Sequence, residues 1–227
     1  MSIEAGGKHL LIYGPPGSGK TTVAREICRE AHLNYISVGQ VTRQEITQKT
    51  ALGMNLATYL NRVIEYPPEL VAEAMAPHLV SSAKQGFLLD GYPKYEVEVP
   101  SFLGILESGN FSIDKVLVME LGYPEAQARV LERGICTQCG SQTKKSEIRC
   151  VCGGMLDTRE DDLPESFRRR FDDHSTTIEN TLGRLREGIP SLSISIIEAR
   201  KSPPEVLKEV RLAIASRPGS SAERACA

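Results

Sequence analysis

The 227-residue sequence has no tryptophan, only five phenylalanines and seven tyrosines, and no excess of positive charge. Lys and Arg total 27 against 29 Asp and Glu, giving a formal net charge of -2 and a pI near 6.1. A basic surface interleaved with aromatic rings, the platform on which single-stranded nucleic acid is held, is therefore missing. Any polyanion must be bound locally. No apolar run approaches the roughly 18 residues of a membrane span, and Leu10-Leu11-Ile12-Tyr13 is far too short for a secretory signal. The expectation is a cytoplasmic protein that engages neither nucleic acid nor membrane. Internal repeats and long low-complexity tracts are also absent. What is there, 41% hydrophobic and 25% charged residues, is the composition of an ordinary globular chain. At roughly 100 to 200 residues per domain, it makes one sizeable core with room for insertions.

Strand-like apolar runs at His9 to Tyr13, Asn34 to Val38, Phe87 to Leu89, Val116 to Glu120 and Leu192 to Ile197 are separated by segments long enough for helices. Helices are predicted at Thr21 to Ala31, Leu56 to Ile64, Pro68 to Lys84, Glu125 to Arg133, Pro164 to Gly188 and Pro203 to Ser216, several opening on Pro. This βαβ rhythm predicts an α/β fold in three layers, a five-stranded parallel sheet with helices on both faces. Gly134 to Asp157 breaks the rhythm, without helical or strand period, and reads as an inserted minidomain. Arg217 to Ala227 is polar and turn-rich, and is expected to be a disordered tail.

Gly14-Pro15-Pro16-Gly17-Ser18-Gly19-Lys20-Thr21 fits G-x-x-x-x-G-K-[ST] directly after the first strand and before a predicted helix. Its glycines let backbone N–H groups turn inward around phosphate oxygens, and the helix N-terminus adds a favourable dipole. Lys20 then reaches the β and γ phosphates of ATP, and Thr21 touches Mg2+. Phe87-Leu88-Leu89-Asp90-Gly91 sets Asp90 at the C-terminal end of a buried strand, where ligands of open α/β sheets collect. Asp90 is the expected second holder of magnesium.

GPPGSGKTT, ISVGQVTR, GFLLDGYPK, a Cys-rich insert and TREDDLPESFRRRF, in that order over roughly residues 8 to 210, together resemble an adenylate kinase. The wider group is that of nucleoside monophosphate kinases with a long, inserted lid that in some bacterial members binds zinc. The resemblance implies a P-loop kinase core over residues 1–216, an acceptor-binding helical insertion at 38–67 and a lid at 134–158. It implies reversible transfer of the γ-phosphoryl group from Mg·ATP to AMP, giving two ADP, by a monomer. It also implies roles for individual residues. Gly14, Pro15, Gly17, Ser18, Gly19, Lys20, Thr21, Thr22, Arg129 and Arg133 would bind ATP, with Arg129 stacked on its base. Val38, Gly39, Arg43, Gly91, Lys94, Glu98, Arg159 and Arg170 would line the acceptor site. Lys20, Asp90, Arg133, Arg159 and Arg170 would carry catalysis. Phosphoryl transfer asks mainly for alignment and cations, so the arginines are the chemically relevant residues. Helical spacing aims Arg168, Arg169 and Arg170 in three directions, so at most two of them can face one cleft.

The acceptor site departs from the family pattern. Ser37-Val38-Gly39-Gln40 stands for Ser-Thr-Gly-Asp and removes a hydroxyl. Gly91-Tyr92-Pro93-Lys94 stands for Gly-Phe-Pro-Arg and exchanges a bidentate fork for a single ammonium. The glutamine that reads adenine falls at Glu98, with Glu96 as neighbouring candidate. An ionised carboxylate only accepts hydrogen bonds and suits the N1–H and N2–H of guanine. AMP is the leading acceptor and GMP the rival. A catalytically weak nucleotide-binding sensor of the same fold is the alternative from another class. A P-loop ATPase acting on RNA or protein is a third reading, disfavoured by the missing basic aromatic platform.

Of the six cysteines, four lie within positions 136–152. Cys136-Thr137-Gln138-Cys139 and, ten residues later, Cys150-Val151-Cys152 place two thiolate pairs on turns suited to tetrahedral zinc. The second pair is C-x-C rather than C-x-x-C, which leaves open a site of three cysteines or one that uses Asp157. In a reducing compartment a disulfide is the weaker alternative. Such a zinc would be structural, folding a lid too small for its own core. Cys28 reads as a small core residue, and His9, His32, His78 and His174 show no ligand spacing. Cys226 is penultimate and makes no prenylation signal.

Overall fold

A computed structural model describes residues 7–59, 66–139, 142–158 and 162–216. Five strands form one parallel sheet: β1 (His9–Tyr13), β2 (Asn34–Ser37), β3 (Phe87–Asp90), β4 (Lys115–Glu120) and β8 (Ser193–Glu198), in the order β2-β3-β1-β4-β8. The numbering leaves room for the short β5 (Arg133–Cys136), β6 (Gln142–Lys144) and β7 (Leu156–Asp157), which make a separate antiparallel sheet. The helices are α1 (Lys20–Ala31), α2 (Val38–Gln48), α3 (Ala51–Ala57), α4 (Pro68–Ser82), α5 (Val99–Gly109), α6 (Tyr123–Leu131), α7 (Pro164–Gly188) and α8 (Pro203–Ala215).

Side chains alternate across a strand, so the central strands must be apolar on both faces to be buried on both. Leu10, Ile12, Leu88, Leu117 and Met119 face one layer, with α1 and α8 supplying Val23, Ile27, Val206 and Val210. Leu11, Tyr13, Leu89, Val116 and Val118 face the other, against Met75 and Leu79 of α4, Phe102 and Ile105 of α5, and Leu185 of α7. All five expected strands are present, each within a residue or two of its predicted ends, and α7 occupies its predicted span.

Four differences stand out. The periodicity predicted no helix at α2, although the family resemblance implied a helical insertion there, because only Val41 and Thr42 of its eleven residues are buried and its apolar face is thin. The α5 helix was missed because Pro100 and Gly104 interrupt an apolar run whose buried positions, Val99, Phe102, Ile105 and Leu106, nevertheless recur at helical spacing. The helix expected at Leu56 to Ile64 lies largely outside the described residues; its first two positions end α3. The Cys-rich insert is not periodless but carries β5, β6 and β7, each four residues or shorter and so below the length at which alternation is readable. The tail 217–227 lies outside the described residues. Among the described residues no helix is long and apolar enough to cross a membrane.

Candidate active site

The phosphate loop is shaped by what a side chain would strike. A Cβ on Gly14 would lie 2.7 Å from Ser18 Oγ and 2.9 Å from the carbonyl of Met119, so the loop packs against β4 only as glycine. Gly17 has φ +86°, and a Cβ there would sit 2.6 Å from the carbonyl of Ala126 on α6. Gly14, Pro15 and Ser18 are buried beneath the loop, and Ser18 N–H donates to the Pro15 carbonyl at 3.2 Å. The amides of the first turn of α1 have no helical acceptor and form an anion site. Lys20 Nζ curls back over the loop, donating to the Pro15 carbonyl at 3.4 Å. Burial holds its pKa below the ordinary lysine value, reinforced by Arg170, Arg133 and Lys94 and opposed by Asp90.

Asp90 ends β3 and is nearly fully buried. Its Oδ2 accepts from Thr21 Oγ1 at 3.0 Å and from the hydroxyl of Tyr35, on β2, at 2.8 Å. Burial first, and then the adjacent carboxylate, raise the Tyr35 pKa, so the phenol remains a donor. The Tyr35 ring carries the guanidinium of Arg25, whose Cζ lies 5.5 Å from the centroid. Thr21 and Asp90 present two oxygens side by side next to the phosphate loop, a donor set suited to a hard cation.

The cation side of the site is organised by Asp162. Its carboxylate is 1% exposed and takes a bidentate grip from Arg133, with Arg133 Nε at 2.9 Å. Arg170 Nη1 lies 3.9 Å from the same carboxylate. A cleft of about 220 Å³ results. It brings together Gly17, Gly19, Lys20, Thr21 and Thr22 from the loop and α1, and Val38, Gly39 and Arg43 from α2. Asp90, Gly91, Arg133 and Arg170 line it too, as do Arg25, Tyr35, Ser37 and Gln40. A larger cavity of about 730 Å³ adjoins Pro15, where α7 crosses the ends of β4 and β8, and is lined by Glu120, His174 and Arg200 among others.

Besides Gly14, Pro15 and Ser18, which are buried in the loop itself, three expected nucleotide-site residues do not line the 220 Å³ cleft. Arg129 is on the exposed side of α6 and donates to the Arg200 carbonyl at 3.4 Å. Lys94 Nζ is ion-paired with Asp173 of α7 and donates to Tyr95 Oη at 2.5 Å. Glu98 is 5% exposed and turned inward, accepting from the amides of Lys94 at 2.5 Å and Tyr95 at 3.3 Å. The same loop is fixed from two further sides, by Tyr13 Oη donating to the Pro93 carbonyl at 2.8 Å and Thr181 Oγ1 donating to the Lys94 carbonyl at 3.0 Å. Arg159 lies outside the described residues. Sequence reasoning missed Arg25, Tyr35 and Asp162. Only Asp162 had a local signal, the last of three consecutive acidic residues between Arg159 and the Arg168–Arg170 run in TREDDLPESFRRR.

The four clustered cysteines converge. All their sulfurs lie within 4.8 Å of one another, with Cys136–Cys152 and Cys139–Cys150 at 3.5 Å and Cys139–Cys152 at 3.4 Å. A disulfide needs about 2.05 Å, whereas four sulfurs at the Zn–S distance of about 2.3 Å stand roughly 3.8 Å apart. The amides of Cys139 and Gln138 each point at Cys136 Sγ at 3.4 Å and hold that thiol's pKa down, as suits a thiolate ligand. Asp157 is not part of the cluster.

A glycine loop entering a helix, a strand-end carboxylate and convergent arginines define a P-loop phosphotransferase. The adenylate kinase family model matches residues 12–187, so the chain belongs to the adenylate kinase family. It is similar to the adenylate kinase of Pyrococcus horikoshii, 33% identical over 178 residues covering 75% of this chain and 80% of the relative. The adenylate kinases of Pyrococcus furiosus, 35% identical (72% of this chain, 77% of the relative), and Caldicellulosiruptor saccharolyticus, 33% identical (72% and 80%), are similar to it in the same way.

Proposed function

We propose that the chain transfers the γ-phosphoryl group of Mg·ATP to AMP, reversibly, giving two ADP. The observation that carries the reading is the convergence of Lys20, Arg43, Arg133 and Arg170 on one cleft beside the Thr21–Asp90 oxygen pair. A magnesium ion here would supply positive charge beside the phosphates and help neutralise the charge that develops on them. Thr21 and Asp90 are the residues that would hold it. The α1 amides and Lys20 fix the ATP phosphates, while Arg133 and Arg170, and in the same role Arg159, spread the charge of the transferred group. Arg43 grips the acceptor phosphate from α2. The ATP nucleoside extends toward Arg129 and the turn after β8, which Arg129 already touches. Closing the 134–158 lid would exclude water and limit hydrolysis of ATP.

Glu98 favours AMP over GMP as acceptor. Its carboxylate is committed to two backbone amides and is buried, so it is not offered to guanine N1–H and N2–H. Zinc in the Cys136, Cys139, Cys150, Cys152 cluster would be structural, since four thiolates leave no open coordination position. The protein is expected to act as a cytoplasmic monomer. The test is diphosphate formation from Mg·ATP with AMP, GMP, CMP and UMP side by side, with ATP alone as hydrolysis control. AMP preference is expected. GMP preference would return base reading to Glu98, and ATP binding without any transfer would favour the sensor reading.

A further inference from the structure

An acceptor phosphate carries close to two negative charges and must lie in line with a second, more highly charged nucleotide. Cations on the acceptor side of the cleft therefore decide its binding. The residue that the family pattern assigns beside Arg43 is Lys94. That ammonium is satisfied elsewhere, by the Asp173 carboxylate and by Tyr95 Oη, and Tyr95 Oη also donates to Asp173 at 3.2 Å. A phosphate drawing Lys94 into the cleft would have to break this triangle and leave Asp173 without its cation.

Arg25 has the complementary situation. It lies one helical turn beyond Thr21 on the same face of α1 and lines the cleft together with Ser37, Gly39, Gln40 and Arg43. It is exposed and has no carboxylate partner within ion-pair distance among the described residues. Its guanidinium is aimed by the Tyr35 ring, 5.5 Å from Cζ to the centroid, so a long side chain is kept near one position before any ligand arrives. Tyr35 is itself fixed by its hydrogen bond to Asp90. One tyrosine thus links the metal-side carboxylate to a guanidinium at the acceptor side.

We propose that Arg25, held on Tyr35, is the second phosphate-binding cation of the acceptor site, with Tyr35 as its positioning residue. Arg25 supplies the bidentate guanidinium that Lys94 cannot, and it compensates for the exchange of arginine for lysine at position 94. This rests on the kinase reading above.

The test is steady-state kinetics with both substrates varied, together with calorimetric binding of AMP and of adenosine. Arg25→Gln is expected to raise the KM for AMP about tenfold or more, the loss of one charge-assisted contact of about 1.4 kcal/mol, with the KM for ATP within about twofold of wild type. Its affinity for adenosine should be unchanged, because the lost contact is to phosphate. Arg25→Lys should recover only part of the loss, and Tyr35→Leu should repeat the effect of Arg25→Gln. Lys94→Gln should raise the KM for AMP less than Arg25→Gln does. The proposal is overturned if Arg25→Gln leaves the KM for AMP unchanged while the control Arg43→Gln raises it. Equal rises in both KM values, or a parallel loss of adenosine affinity, would also overturn it, since they report general distortion of the cleft. These outcomes leave the kinase reading intact. That reading fails separately if wild-type protein binds Mg·ATP and phosphorylates no monophosphate.

Discussion

Asp162 is a buried carboxylate whose cost is offset, among the described residues, by Arg133 and Arg170. Removing its charge takes from Arg133 the carboxylate that grips it in two places. Asp162→Asn is expected to destabilise the protein by about 3 kcal/mol and to lower kcat, because Arg133 loses the bidentate contact that sets its plane. Urea unfolding and initial rates would measure both. ATP, itself a polyanion, should recover part of the lost stability, so a variant as stable as wild type without nucleotide would contradict the assignment. His174 gives a second residue-scale prediction. Burial, then Lys20 and Lys94, hold its pKa down to about 4 against an ordinary 6.5, with Asp173 pulling the other way. Between those pH values the unfolded chain binds the proton and the folded chain does not, so stability is lost as pH falls through this window. His174→Gln should flatten the fall between pH 7 and 5 by on the order of 1 kcal/mol, and an unchanged slope would count against it. At this scale Lys20, Thr21 and Asp90 were legible because motif and context are local. Tyr35 was not, because its partner Asp90 stands 55 residues away, and Arg25 was not, because it is aimed by that same tyrosine rather than by any motif. The family resemblance put Glu98 at the acceptor site, whereas the loop amides of Lys94 and Tyr95 turn its carboxylate inward.

The strand β5 joins the two chemistries of the molecule. It begins at Arg133, which lines the cleft, and ends at Cys136, which belongs to the sulfur cluster, so only two residues separate the cleft cation from the cluster. Its partners β6 and β7 are too short to hold register alone. A metal held by the cluster would anchor this sheet, and its binding would then be folding free energy for it. Elemental analysis should find one zinc per chain. Chelation, or Cys139→Ser, should lower Tm by several degrees and lower kcat more than it raises the KM for AMP, since Arg133 is displaced and Arg43 is not. Metal-free protein with unchanged Tm and kcat would remove zinc from the account. Among the elements, α7 was readable because Pro164 opens it and Gly188 closes it. The lid strands were not, because their order depends on side chains gathered from 136 to 152 rather than on local propensity.

The whole molecule carries a formal net charge of -2, yet Lys20, Arg25, Arg43, Arg133 and Arg170 share one cleft with Asp90 as the lining carboxylate. Attraction for two nucleotides is therefore a local field set against a mildly repulsive whole. Such a field is screened over about 10 Å at 0.1 M salt and about 3 Å at 1 M. Acceptor encounter should depend on it more than the final ATP complex does, because the loop amides would also hold the ATP phosphates. Raising the salt from 0.05 to 0.5 M should lower kcat/KM for AMP several-fold while changing kcat little. Arg43→Gln should flatten that dependence, as the remaining attraction then comes from fewer charges. Equal salt sensitivity of kcat and kcat/KM would instead mean that the cations act mainly after both nucleotides are bound. They would then be transition-state groups rather than a steering field, and mutation of Arg43 would be expected to lower kcat.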